Sequence, residues 1–162
     1  RKVKALGAAC VIGVRRSLKE KPPYLDEQYT LAQLDSVLPR ADIVAMVLPG
    51  DDSTTDLMDL NRLRLMKKGA YLINVGRGSA IKQADLITVL NEGHLGGAAL
   101  DVTTPEPLPA IDPLWQAKNI VITPHVAGNF FLDETLWRVV RIAGENISAF
   151  LEGRPLRNEV KH

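Results

Sequence analysis

Only one cysteine, Cys10, occurs among the 162 residues, which excludes an internal disulfide and any paired-cysteine metal or redox motif. Lying in the apolar run Ala8-Ala9-Cys10-Val11-Ile12, it is expected to be an inert, buried thiol. No spacing of His, Cys, Asp and Glu suggests a metal site, and none is expected. Neither sign of charge is in excess: a formal net charge of +1 offers no footprint for nucleic acid or an acidic membrane surface. No apolar run approaches the ~20 residues that cross a bilayer, and no basic stretch with an apolar core and cleavage site opens the chain. A cytoplasmic location is the default expectation. Repeats and low-complexity tracts are also lacking, and so is a methionine at position 1. Arg1 to Leu6 followed by Gly7 reads as the last turns of a helix closed by a glycine, so the sequence is expected to start inside an element.

What is there is the composition of an ordinary globular domain, 46% hydrophobic and 24% charged, with length enough for one sizeable core. Short apolar runs recur at Ala9 to Val14, Ile43 to Leu48, Tyr71 to Val75, Ala98 to Val102 and Ile120 to Thr123. They are too short for typical helices and several are rich in Val and Ile, so they read as strands buried on both faces. Between them Thr30 to Leu38, Leu60 to Met66 and Gln83 to Glu92 place apolar residues at helical spacing, most clearly Leu86, Val89 and Leu90. Alternation of this kind implies an α/β fold with a parallel sheet covered by helices. From Asp133, a candidate N-cap, to Glu152 one apolar stripe runs through Leu136, Val140, Ala143, Ile147, Phe150 and Leu151, and Gly153 and Pro155 then end a long C-terminal helix.

In an open parallel sheet, ligands bind beyond the carboxyl ends of the strands. Those ends carry Arg15-Arg16-Ser17, Leu48-Pro49-Gly50, Gly76-Arg77-Gly78-Ser79, Asp101-Val102 and Thr123-Pro124-His125. Singly, each has an ordinary reading: a surface arginine, a loop histidine, and in Thr104-Pro105-Glu106-Pro107 a solvated glutamate. Jointly they match the needs of 2-keto acid reduction, which are a cation for the carboxylate, a proton donor for the developing alkoxide, and a carboxylate to tune that donor. Arg77 suits the first role, because a planar guanidinium grips a carboxylate through two parallel hydrogen bonds and stays charged. His125 suits the second, because its ordinary pKa lies near neutrality. Glu106, bonded to the imidazole, would fix its tautomer and favour the imidazolium.

Three segments, Ile73-Asn74-Val75-Gly76-Arg77-Gly78, Ala99-Leu100-Asp101-Val102 with Glu106-Pro107, and Thr123-Pro124-His125-Val126-Ala127-Gly128, resemble the D-2-hydroxyacid dehydrogenase family in order and spacing. Ala41-Asp42-Ile43-Val44 leading to Leu48-Pro49, and the closing Leu151-Glu152-Gly153-Arg154-Pro155-Leu156, extend the resemblance over essentially the whole chain. The resemblance implies a Rossmann-type, doubly wound sheet and hydride transfer between a nicotinamide and a small 2-keto or 2-hydroxy acid. It further implies that Arg77 binds the substrate, His125 is the general acid/base and Glu106 its partner. Asp101 would hold the nicotinamide carboxamide; Leu48 and Pro49 would line the cofactor cleft, with Val75, Gly76, His125 and Gly128 also against the cofactor. The family's formate dehydrogenases pair glutamine with the histidine, so Glu106 favours a 2-keto or 2-hydroxy acid over formate. Members are usually dimers.

Cofactor choice is read at the end of the first strand, where NAD-using members usually place an Asp on the ribose 2′-hydroxyl. Here Arg15, Arg16 and Ser17 stand instead, cations that suit a 2′-phosphate with no neighbouring carboxylate to repel it, so NADP is favoured over NAD. The family's first strand and G-x-G-x-x-G loop would precede Arg1, and Gly76-Arg77-Gly78 imitates that fingerprint at the wrong strand. Residues 1–125 are therefore expected to form a partial dinucleotide-binding domain lacking its central first strand, and residues 126–162 a helix and tail returning to a mostly absent substrate domain. A longer natural protein is expected, with little turnover from these residues alone. The alternative class is a non-catalytic dinucleotide-binding sensor or corepressor-like module.

Overall fold

The computed structural model of the chain describes residues 1–128 and 133–159. It divides into two compact units, Arg1–Pro124 and His125–His162. In the first unit a one-turn helix α1 (Lys2–Ala5) ends at Gly7, whose φ of 91° suits a residue without a Cβ. Strands β1 (Ile12–Arg15) and β2 (Glu27–Thr30) follow, then helix α2 (Leu34–Val37) and β3 (Ile43–Met46). Helix α3 (Leu60–Leu65), β4 (Tyr71–Asn74), α4 (Gln83–Asn91), β5 (Gly97–Leu100) and β6 (Ile120–Ile122) complete it. β1 and β2 form a two-stranded sheet, and β3-β4-β5-β6 a four-stranded one in sequence order. Every pairing is parallel, with Ile43 opposite Tyr71, Tyr71 opposite Gly97 and Ala98 opposite Ile120. The architecture is α/β and Rossmann-type.

Helices α3 and α4 pack on one face of the larger sheet. Leu86, Val89 and Leu90 of α4 and Leu63 of α3 are essentially sealed from solvent, as are Leu72 and Leu100 in the strands beneath them. A buried leucine is stabilised by roughly 1.5–3 kcal/mol, so this layer dominates the unit. The helix starts are stitched to it: Asp59 accepts from Arg62 N–H at 2.9 Å, and Asp85 of α4 accepts from Leu60 N–H at 2.9 Å.

The other face corrects the expectation of strands buried on both sides. Ile43 is 61% exposed, Val121 62% and Tyr71 53%, because the helices that follow β3 and β4 both lie on the opposite side of this sheet. Cys10 is also exposed, with its thiol 3.9 Å from Glu27 Oε1, since it precedes β1 and no element covers it. The helix expected over Thr30 to Leu38 is a run of 3₁₀ turn (Leu31–Gln33), α2 and 3₁₀ turn (Leu38–Arg40), opened by a capping box between Thr30 and Gln33. His94, just after α4, is half-buried and its Nε2 lies 3.0 Å from the Met66 carbonyl, tying the end of α4 to the end of α3.

The second unit is built around helix α5 (Asp133–Leu151), in which Asp133 is already helical. Gly153, at φ 67°, closes it, and Arg157 returns to the helix: its N–H donates to Asn146 Oδ1 at 2.8 Å and its guanidinium pairs with Glu145 at 2.9 Å. Ala149 is buried, whereas Trp137, Ile147, Phe150 and Leu151 are exposed. His162 lies outside the described residues.

Candidate active site

Four of the expected site segments leave the carboxyl ends of β1, β3, β4 and β5 within the first unit. The turn after β4 is fixed by backbone proximity. A Cβ on Gly76 would sit 2.7 Å from both Leu48 N and Leu48 O, and one on Gly78 would sit 2.0 Å from Thr103 O. Only glycine lets this turn press simultaneously against the ends of β3 and β5. Arg77 stands between the two glycines with φ −142° and ψ 138°, an extended conformation that projects it from the turn. Its stem crosses Gly50 and its Nη1 donates to Gly76 O at 2.8 Å, leaving the rest of the guanidinium exposed.

Asn74, at the end of β4 and fully buried, holds the turn that carries Arg77, a role the sequence did not announce. Its Nδ2 donates to Arg77 O at 2.8 Å and its Oδ1 accepts from Gly76 N–H at 3.0 Å, so one amide holds both sides of the arginine. The signal was an Asn two residues before a glycine, where its side chain can accept from the backbone N–H two residues on. Asp101 is only 5% exposed, its N–H bonded to Asn74 O at 2.9 Å and its carboxylate accepting from Thr123 Oγ1. The ends of β4, β5 and β6 are thereby locked in register.

Glu106 lies six residues past β5 on an exposed loop, in which Thr103 Oγ1 donates to Pro105 O at 2.9 Å and Gln83 Oε1 accepts from Thr104 N–H at 3.4 Å. His125 follows β6 by three residues and opens the second unit, with a φ of 53°. Gly128 lies in the same exposed stretch.

At β1 the two arginines diverge. Arg15, half-buried in the strand, donates to the neutral Gln28 Oε1 of β2 at 3.3 Å. Arg16, largely exposed, pairs through Nη2 with Asp51 Oδ2 of the loop after β3. Ser17 is exposed. The end of β1 carries no carboxylate of its own, but folding delivers one from thirty-five residues away. Ser53, and then Arg16, hold the Asp51 carboxyl below its ordinary pKa against the cost of desolvation. A hollow bordered by Asp42, Lys67, Lys68 and Tyr71 sits at the amino ends of β3 and β4, the wrong end of a parallel sheet for its chemistry. Among the described residues no cluster of His, Cys, Asp and Glu could hold a metal ion, and no helix is long and apolar enough to cross a membrane.

The residues fit a dinucleotide: Gly76 keeps the β3 and β4 ends in backbone contact, Arg15 offers a cation with no carboxylate partner among the described residues, and a buried carboxylate, Asp101, stands at the middle of the larger sheet. Comparisons with known proteins agree. Residues 1–127 match the family model of the D-isomer specific 2-hydroxyacid dehydrogenase, NAD binding domain. A glyoxylate reductase of Aeropyrum pernix is 37% identical over 93% of this chain and 44% of its own length. The crystal structure of a D-isomer specific 2-hydroxyacid dehydrogenase family protein from Aeromonas salmonicida superposes with a TM-score of 0.88 at 40% identity, covering 99% of this chain and 50% of that one. An NADPH-dependent glyoxylate/hydroxypyruvate reductase from Sinorhizobium meliloti, solved with NADP and sulfate, gives 0.87 at 32% identity, covering 99% of this chain and 50% of that one. The chain thus spans about half the length of the relatives it matches, and it belongs to the D-isomer specific 2-hydroxyacid dehydrogenase family.

Proposed function

We propose that the protein carrying this chain is an NAD(P)-dependent D-2-hydroxyacid dehydrogenase of small 2-keto and 2-hydroxy acids, glyoxylate and hydroxypyruvate foremost. The observation that carries the reading is Arg77, raised on a turn that two glycines and a buried asparagine allow no other course. An exposed guanidinium presented from a fixed turn suits the two parallel hydrogen bonds of a substrate carboxylate. The nicotinamide, when bound, supplies or accepts the hydride. Arg77 holds the carboxylate and polarises the carbonyl. His125 gives its proton to the carbonyl oxygen in reduction and takes it back in oxidation, with Glu106 favouring the imidazolium. Asp101, with Leu48, Pro49, Val75, Gly76 and Gly128, orients the nicotinamide side, and Arg15, Arg16 and Ser17 receive the adenosine 2′ position, with NADP preferred to NAD.

In this reading residues 1–125 belong to the dinucleotide-binding domain and residues 126–162 to the helix and tail leading back to a substrate domain. The exposed apolar side chains of α5, Trp137 among them, support a homodimer, and the lack of charge excess supports a cytoplasmic enzyme without nucleic-acid or membrane partners. In the full-length protein, NADPH-dependent reduction of glyoxylate and hydroxypyruvate is expected, with His125→Ala lowering kcat by roughly 10²–10⁴-fold. Tight dinucleotide binding with no turnover on any 2-keto acid would instead identify a sensor.

A further inference from the structure

Arg15 and Arg16 are adjacent in sequence yet electrostatically unlike. Among the described residues Arg15 meets a neutral glutamine, whereas Arg16 is met by a carboxylate. That carboxylate is held firmly. Asp51 Oδ1 accepts from Ser53 N–H at 2.9 Å and from Ser53 Oγ, while Asp51 N–H and O bond Thr54, a residue 1% exposed whose Oγ1 also donates to Pro49 O at 2.9 Å. Arg16, with its side chain 65% exposed, is the more solvated member of the pair. A fixed anion therefore stands at the cation offered to the cofactor, and any further anion arriving at Arg16 meets Asp51 first.

We propose that Asp51 is a resident counterion of Arg16 that a 2′-phosphate must replace, so that Asp51 sets the margin by which the protein prefers NADP to NAD. The inference rests on the dehydrogenase reading above. A phosphate carries more negative charge than a carboxylate and presents three acceptor oxygens, so it can displace Asp51 from an exposed guanidinium. The displaced carboxylate stays nearby because Ser53 bonds it and Thr54 holds the Asp51 backbone, and its repulsion of the phosphate reduces the gain. NAD, with a neutral ribose hydroxyl at that position, neither needs Arg16 nor suffers from Asp51. Sequence inspection of the β1 end alone misses this, since Asp51 is distant along the chain.

The test is the dissociation constants of NADPH and NADH for the full-length protein, read by calorimetry or nicotinamide fluorescence without substrate. Asp51→Asn keeps an oxygen for the Ser53 N–H while removing the charge, and is expected to tighten NADPH about fivefold and change NADH less than twofold, the scale of an exposed ion pair. Asp51→Ser, which also offers that acceptor, should shift the ratio in the same direction. In an Arg16→Ala background the effect of Asp51→Asn on NADPH should largely vanish, because the two residues act as one unit. An unchanged or lowered NADPH to NADH preference in Asp51→Asn, with NADPH still bound by the wild type, would overturn the inference while leaving the dehydrogenase intact. Failure of the wild type to bind either dinucleotide would overturn both.

Discussion

The end of β4 and the end of β1 both present an arginine to the same side of the first unit, but they are built on opposite physical terms. Around Arg77 the constraints are covalent shape and buried hydrogen bonds: two glycines whose missing Cβ atoms would strike Leu48 and Thr103, and an asparagine sealed from water. Around Arg16 the tie among the described residues is an exposed ion pair. The first arrangement resists change and is suited to chemistry that must not vary. The second can be altered without cost to the core, and suits a property open to tuning, such as the proposed preference for NADP.

The comparison breaks first at Gly78→Ala. The new Cβ would lie 2.0 Å from Thr103 O and 2.2 Å from Thr103 C, backbone that cannot swing aside as a side chain could, so a loss of about 3 kcal/mol in thermal unfolding is expected. Next is Asn74→Ala, which orphans the buried Gly76 N–H and removes a donor from Arg77 O. About 2 kcal/mol of stability should go, and KM for the keto acid should rise as Arg77 loses its fixed direction. Smallest is Arg16→Ala, which should move the unfolding midpoint by less than about 0.5 kcal/mol equivalent, as exposed pairs do. A destabilisation by Arg16→Ala as large as that of Asn74→Ala would erase the distinction between the two ends.

Much of the fold was legible because its signals are local and repeated. Leu86, Val89 and Leu90 announce α4, and the apolar runs before Leu48, Val75 and Val102 announce β3, β4 and β5, each ending a residue or two before the run does. β2 was not legible: Glu27-Gln28-Tyr29-Thr30 has no apolar alternation, and it is a strand because its backbone pairs with β1. The bare face of the larger sheet could not be foreseen either, since Ile43 and Val121 look as buried in sequence as Leu72 is in space. Of the candidate site, residue types at strand ends were readable, but their partners were not. Asn74 acts through contacts two and three residues away that the composition of the turn only hints at. Asp51 reaches Arg16 solely because β1 and β3 end on the same side.

The parallel pairing of every strand has a kinetic consequence. The nearest partners along the chain, Ile12 and Glu27, are separated by an entire loop, and Ile43 meets Tyr71 only after α3 has been traversed. No ladder can therefore zip outward from a tight turn, and loop-closure entropy must be met before any strand pair is rewarded. The helices α3 and α4, whose own backbone hydrogen bonds span only a single turn, can form before any strand pair and are the natural surface on which the strands collect, so the sheet should be the late event in folding.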